Sequence, residues 1–441
     1  MQKSIMGVKF SIIAGVVALG IIVMGPALAA EQEGAPETAQ PETPVSIQAY
    51  ERLLAEIQGR EFAKPDVSAL RIFPDDAKDI VAGYERLFAH MQDTVAPFEA
   101  TAGDIISKDP HEWTDNERVK VTEFLAANHD LITELRHMAT RGGPVYALDF
   151  SKGFAMLLPH LARTRSCARL LRADAVVNGT KGDYAAAVDD IIAGMNLGDA
   201  VALEPVLISQ LVRVAIYGIM YSAVEDSFDG ADLSPDLTRQ LMAQVAQADR
   251  RESFSESLAG ELYFVSQFFS ALRSGDRTGI AEGMNLGPLR EEDELTYVDI
   301  MKGLISAAKL PYYEAALELH EMERETESLP ETMPYSRQFL PALTRACQAQ
   351  GRHEAMLDLM QIGILLERYK ARNGSFPATL DAVAPDLGGS VPVDPFTGKS
   401  YQYRALGAKF LLYSIGENRR DDGGTHDYRK GDIVWRGRKE R

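Results

Sequence analysis

The chain has 441 residues, 46% of them hydrophobic, and a formal net charge of −18. This length supports two or three domains with a sizeable core, and the abundance of Ala, Leu, Glu and Met favours helices. Because so acidic a body repels phosphate backbones and anionic lipid surfaces, the charge argues against nucleic acid as a partner.

The N-terminal 30 residues carry a targeting pattern. Two lysines precede an apolar run over residues 10–24, Pro26 then breaks the run, and Ala27 and Ala29 form a small-residue cleavage site. Residues 1–30 are therefore predicted to be a secretory signal peptide or, since the segment is also long enough to span a bilayer, a membrane anchor. Either alternative places the rest of the chain in the periplasm or cell envelope, with membrane contact through this segment alone.

A polar linker and a long helical domain are predicted to follow. Residues 31–47 are rich in Pro, Glu and Gln and lack apolar periodicity, which is typical of a flexible, disordered linker. From residue 48 to 340, apolar residues recur at helical spacing, so residues 48–340 are predicted to form a helical domain.

Three helices are predicted in the first half of this domain. The first carries an apolar stripe over residues 80–94. The second begins at Thr114 or Asp115, either of which can cap it, and is expected to continue to Gly142. The third covers residues 157–177 and is expected to end at an Asn-Gly pair.

The segment that begins at Gly182 has the spacing of a known helical repeat. Gly182, Tyr184 and the small or apolar residues Ala187, Ile191 and Gly194 match the second helix of a tetratricopeptide repeat, which this region therefore resembles. The preceding helix lacks the aromatic position of that repeat, and no period of about 34 residues is present. The pattern predicts an array of helical hairpins.

Three further features complete the helical domain. Residues 209–224 are apolar nearly all round, which predicts a central buried helix. Residues 274–296 contain several glycines and a charged run, which predicts a long surface loop. An aromatic stripe is predicted to be core, with a peptide-binding groove as the alternative. The stripe consists of Tyr263, Phe264, Phe268 and Phe269.

The only cysteines of the chain are Cys167 and Cys347. An oxidising compartment allows the two to form a disulfide, but each lies in a helical, partly apolar stretch, so two separate buried thiols are an equal alternative. Two cysteines are too few for a zinc site built from thiolates alone.

The last hundred residues begin with a predicted helix and then differ in composition from the helical domain. A long helix is predicted from Pro341 to about Ala371, after which Pro, Gly and Asp become frequent. Three strands are predicted, at residues 400–404, 409–414 and 433–435. Residues 341–441 are thus predicted to be a long helix packed on a small antiparallel sheet, an α+β unit.

A set of residues between positions 356 and 435 occurs in a characteristic order. They are Tyr369, Asn373, Gly374, Phe376, Pro377, Leu380, Pro392, Asp394, Pro395, Phe396, Gly398, Tyr403, Ser414, Gly416, Gly423, Gly424, Asp432 and Ile433. This order resembles the globular head of the major pseudopilin of type II secretion systems. The predicted fold is therefore mainly α, a helical-hairpin array followed by a small α+β pseudopilin-like head. No Glu stands at the fifth position after Gly7, where pseudopilins carry one, so assembly into a filament is not expected.

The resemblance also implies a calcium site. In that family the loop after the second strand holds calcium, and the candidate ligands here are Asn418, Asp422, Asp427 and Asp432, with Asp421 as an alternative to its neighbour. Asn418 replaces the usual Asp, and one extra residue precedes the Gly-Gly pair. Calcium accepts amide and carboxylate oxygens, so the substitution is compatible with binding. The alternative is a solvated acidic loop neutralised by nearby basic residues.

Two functions are compatible with the sequence. The first is a non-enzymatic interaction or assembly protein of the cell envelope, with envelope or secretion-related proteins as partners. The second is an extracytoplasmic hydrolase whose site lies in the helical domain, with His111, His160 and His320 as candidate members. The sequence contains no Gly-x-Ser-x-Gly and no phosphate loop, and the pair His320-Glu321 lacks the second His of the H-E-x-x-H zinc helix.

Overall fold

The computed structural model describes residues 77–143, 146, 148, 156–228, 231–248, 251–275, 287–425 and 431–435. The predicted signal peptide or anchor and the linker lie outside these residues. Within the described part, eleven helices hold most of the residues and three strands form one small sheet. The prediction of a mainly α-helical fold is confirmed.

The helices follow one another along the chain and are numbered in that order. They are α1 (Ala77–Ala102), α2 (Asp115–Ala127), α3 (His129–Thr140), α4 (Pro159–Lys181), α5 (Tyr184–Ala202), α6 (Leu207–Ser227), α7 (Pro235–Gln247), α8 (Glu252–Ser274), α9 (Glu291–Ala307), α10 (Tyr312–Glu327) and α11 (Pro334–Asn373). Short 3-10 segments occupy Pro110–Glu112 and Leu380–Leu387. The strands are β1 (Gln402–Leu406), β2 (Lys409–Ser414) and β3 (Ile433–Trp435).

The second predicted helix is two helices. Thr114 caps α2 as expected, in a capping box with Glu117. The helix then ends at Asn128, whose side-chain amide donates to the carbonyl of Phe124. That local bond competes with the helical ladder, so the chain turns and restarts as α3. The prediction of one continuous helix is wrong because a single Asn can satisfy a helix end.

Helix α4 ends later than its Asn-Gly pair suggests. It continues to Lys181 and stops at Gly182, which adopts a left-handed conformation with φ of 78°. Gly179 stays helical because it faces α6, where a Cβ would lie 2.5 Å from the carbonyl oxygen of Ser227. Its lack of a side chain serves close helix packing. Asp183 then caps α5 through its side chain, which accepts the backbone N–H of Ala186.

Helix α6 is the central buried helix that its composition predicts. By length and composition alone, its 21 residues are enough to cross a membrane. However, 72% of its most apolar 18-residue segment is buried inside the protein. Of the predicted loop 274–296, residues 276–286 lie outside the described residues, and the acidic run near its end forms the first turn of α9. Carboxylates are stabilised there by the positive end of the helix dipole.

Helix α11 begins seven residues before the predicted start, at Pro334. The backbone N–H groups of Tyr335 and Ser336 donate to the carboxylate of Asp293 in α9, at 3.0 and 2.9 Å. A carboxylate from another helix thus caps this one, a contact that local sequence does not reveal. Pro341 lies inside the helix. The 40 residues of α11 span about 60 Å and join the helical body to the sheet.

The C-terminal sheet has the order β1-β2-β3 with antiparallel neighbours, and all three predicted strands are confirmed. Residues 407 and 408 form the turn between β1 and β2, where Gly407 supplies a positive φ. The sheet packs on α11: the ring of Trp435 lies directly over Gly363, so closely that a Cβ there would collide with it. We call residues 374–435 the head.

Two hydrophobic cores lie on opposite faces of α4. The N-terminal core joins α1, α2 and α3 to the face that carries Cys167. The main core joins the opposite face to the remaining helices and also contains Cys347 together with the head residues Phe396 and Trp435. Both cysteines are buried and free. Helical body and head therefore share one core, and the two thiols belong to different cores. The aromatic stripe of α8 is buried in the main core, as predicted.

Candidate functional site

The predicted calcium loop is closed by its own hydrogen bonds. The backbone N–H groups of Asp422 and Gly424 donate to the carboxylate of Asp432, at 3.3 and 2.7 Å. The side-chain amide of Asn418 donates to Asp422 Oδ2 at 2.8 Å, and Asn418 Oδ1 accepts the backbone N–H of Arg420 at 2.9 Å. Asp427 lies outside the described residues. The structure brings the other three predicted ligands into one loop.

The donors already present make this loop a poor calcium cage as it stands. Calcium needs six to eight oxygen ligands that point inward. Four of the oxygens that would serve, on Asp432, Asn418 and Asp422, instead accept N–H groups. Burial is the main cause that raises the pKa of Asp432, whose carboxylate is held by backbone donors. Calcium binding here requires these bonds to rearrange and stays a prediction.

Asp394 is a buried carboxylate of the head whose role the sequence did not indicate. It accepts hydrogen bonds from the backbone N–H of Phe396 at 2.9 Å, from Ser414 Oγ at 2.9 Å and from the N–H of Ile415 at 3.2 Å. Burial raises its pKa, and these donors oppose that shift. Asp394 thus ties the Asp-Pro-Phe turn to the end of β2. Both Asp394 and Ser414 are among the residues that carry the pseudopilin resemblance.

The three histidines proposed for a hydrolase site have three different carboxylate partners. His111 forms an ion pair with Asp226, and His320 lies 3.6 Å from Glu323 on an exposed helix face. His160 Nε2 lies 2.6 Å from Glu204 Oε1. The structure does not bring these histidines together into one site.

The buried group around His160 does not have the arrangement of a catalytic triad. Ser209 donates its hydroxyl proton to Glu204 Oε2, the same carboxylate that holds His160. In a triad the serine must bond to the histidine, which takes its proton. All three side chains are also buried. Glu204 therefore links two helices through shared hydrogen bonds.

The outer face of α10 exposes a strip of large apolar side chains. Leu310, just before the helix, is 42% exposed, and Tyr313 and Leu317, one turn apart, are 41% and 67% exposed. We call these three residues the α10 strip. The opposite face of the helix is buried in the main core. Contiguous exposed apolar groups on a soluble surface mark interaction sites.

The α10 strip lies at the junction of body and head. The rings of Tyr312 and Phe396 are in edge contact, with centroids 5.1 Å apart. Arg419 of the head donates to the carbonyl of Ala316 at 3.1 Å. The turn at Gly398, in which Val393 is also exposed, approaches the ring of Tyr313. These contacts hold the helix against the head.

Acidic side chains flank the strip. Glu314, Glu318 and Glu321 are exposed on the same helix. The surface therefore combines an apolar ridge with a negative border. The sequence signal that could have identified the strip is the spacing of Tyr313 and Leu317 beside the buried stripe of α10. The two apolar stripes together are wider than the single face that a helix buries against a core.

Comparison with known proteins found no matching family model, no matching curated protein and no matching solved structure. The pseudopilin resemblance therefore depends on the motif residues of the head alone. A function for this chain has to be argued from its own surfaces and side chains.

Proposed function

We propose that the protein is a non-enzymatic interaction or assembly protein of the cell envelope, linked to a type II secretion-like system. The observation that carries the proposal is the exposed α10 strip beside the head. The N-terminal targeting pattern supports an extracytoplasmic place, and the head's resemblance to a pseudopilin supports the link to secretion. On this reading the body is a helical-hairpin array that carries a pseudopilin-like head.

The chemistry of the strip defines the partner. An amphipathic helix of an envelope or secretion-related protein would place apolar side chains on Tyr313 and Leu317. Its Lys or Arg residues would face Glu314 and Glu318, which steers association and selects against acidic partners. Burying one Leu-sized side chain contributes about 1.5–3 kcal/mol, so a few such contacts carry a specific interaction.

The hydrolase remains the second candidate from the sequence, but no arrangement of described residues favours it. His111, His160 and His320, its proposed members, are engaged with different carboxylates.

Affinity capture of the full chain from envelope extracts tests the proposal. The double variant Tyr313→Ala and Leu317→Ala removes the strip while keeping helix propensity, and Val119→Ala, an exposed apolar residue of α2, is the matched control. We expect the wild type and the control to capture the same protein and the double variant to capture it at least tenfold less. Capture that is equal for all three chains, or absent for all, would contradict the proposal.

A further inference from the structure

We propose that Asp109, His111 and Asp226 form a site for a divalent transition metal of the zinc type. One ligand atom from each side chain lies within 4.8 Å of the other two. This group shares no residue with the calcium loop or the α10 strip, and the proposal is independent of the function proposed above.

Two buried atoms of this group point to a ligand. His111 Nε2 and Asp226 Oδ1 are in direct contact with each other, and neither has a hydrogen bond of normal geometry among the described residues. The Asp226 side chain is 4% exposed and that of His111 is 24% exposed. A buried carboxylate oxygen without a hydrogen-bond donor is costly. An ion at about 2.0–2.2 Å from an imidazole nitrogen and from carboxylate oxygens would satisfy both atoms at once, after the two side chains move apart to admit it.

The loop that carries two of the ligands is held at several points. Arg172, a buried side chain of α4, donates to the carbonyl of Lys108 at 2.7 Å. Trp113 Nε1 donates to the carbonyl of Ile105 at 2.9 Å, and Arg118 donates to the carbonyl of Pro110 at 2.9 Å. The loop is therefore positioned before any ion arrives, which favours binding.

The carboxylates are oriented by groups around them. Asp109 Oδ1 accepts the backbone N–H of His111 at 3.1 Å and so caps the 3-10 turn that carries the histidine. Asp226 Oδ2 accepts the hydroxyl of Ser222 at 3.3 Å, which leaves Oδ1 directed at the histidine. Hydrogen bonds of this kind fix ligand orientation in metal sites.

The donor set selects the class of metal. An imidazole suits zinc and its neighbours in the transition series, whereas magnesium and calcium prefer oxygen ligands alone. Three protein ligands leave one position of a tetrahedral zinc for water. Asp109 and His111 are partly exposed, which gives an ion access, while the side chain of Asp226 is buried.

The position of the group indicates what an ion would do. Asp109 and His111 lie in the loop between α1 and α2, which belong to the N-terminal core. Asp226 lies in the last turn of α6, and the apolar side chains of that helix belong to the main core. A metal bound here would fasten the N-terminal helices to the end of the central helix.

Zinc binding to the full chain, stripped of metal with a chelator, tests the site. Titration calorimetry with Zn²⁺ and the absorption spectrum with Co²⁺ are compared for wild type, Asp226→Asn, His111→Ala and the control His320→Ala, which removes an exposed histidine elsewhere. We expect one equivalent of zinc to bind wild type and control alike. Binding is expected to weaken at least tenfold in both site variants, and the cobalt complex of the wild type is expected to show tetrahedral bands that both lack.

Melting of the same chains separates a metal site from a simple ion pair. Zinc should raise the melting temperature of wild type and control only. If zinc neither binds nor shifts melting in the wild type, or if both site variants bind it equally well, the group is an ion pair and the proposal fails. Preference for Mn²⁺ or Ca²⁺ over zinc would overturn the assigned metal class. Should Asp226→Asn not fold, His111→Ala alone decides.

Discussion

The N-terminal helices attach to α4 and α5, whereas the head attaches to α11 and α6. A polar clamp holds the N-terminal core: Arg136 of α3 reaches Asp174 of α4 and Asp190 of α5, both at 2.6 Å. The head instead contributes Phe396 and Trp435 to the main core. Both layers also pack through apolar side chains, but the ion-pair cluster of the first and the buried aromatic rings of the last respond differently to substitution and pH.

Trp435→Ala is expected to have the largest effect, because it removes the large apolar side chain with which β3 packs on α11 and α6. The ring packs over Gly363 and in edge contact with Tyr221, with centroids 5.4 Å apart. Trp-to-Ala changes in cores cost about 3–5 kcal/mol. Urea unfolding followed by circular dichroism measures the loss. Leu406→Ala, an exposed apolar residue of β1, is the control, and an equal loss in both variants would contradict the shared core.

Arg136→Ala is expected to destabilise the protein by about 3 kcal/mol, since removing one partner of a buried ion pair leaves the other uncompensated. Asp190 is fully buried, and burial raises its pKa against the opposing effect of Arg136. Hydrogen exchange should show lost protection in α1 to α3 while the head keeps its own. The exposed pair partner Arg239, replaced by Ala, serves as control, and loss of protection spread evenly over the chain would refute a separate clamp.

Glu261 in the main core is expected to make stability depend on pH. Burial raises its pKa from 4.5 to about 7, and its carboxylate accepts the N–H of Leu207 at the start of α6. The native state thus keeps the proton of Glu261 up to a higher pH than the unfolded chain does. The stability from this group is full below pH 4.5 and is lost as pH rises through 7.

Glu261→Gln keeps an acceptor for Leu207 and removes the titration, so the variant should lose less stability than wild type between pH 4.5 and 7. The difference is at most about 3 kcal/mol, which is the full pKa shift expressed as free energy. Urea unfolding of both chains at several pH values measures it. Parallel curves for the two chains would show that another group dominates.

Periodicity predicted the helices and the three strands well, because each helix or strand must bury one face and its pattern records that face. The errors occur where a distant or competing bond decides. Asn128 divides one predicted helix by bonding to its own backbone, and Asp293 of α9 moves the start of α11 to Pro334. Three of the predicted calcium ligands, Asn418, Asp422 and Asp432, meet in one loop, but their oxygens face N–H donors that no residue pattern shows.

The sequence by itself determined the mainly α-helical character, the position of the head and the acidic surface, since these follow from composition and local spacing. Only the tertiary structure decided which polar groups meet. His111 stands alone in the sequence, and Asp226, on a helix of the other core, becomes its partner once α4 brings the two cores together. The α10 strip likewise becomes a surface because the main core covers only the opposite face of that helix. Contacts between residues far apart in the chain depend on how the helices pack, and no local pattern encodes them.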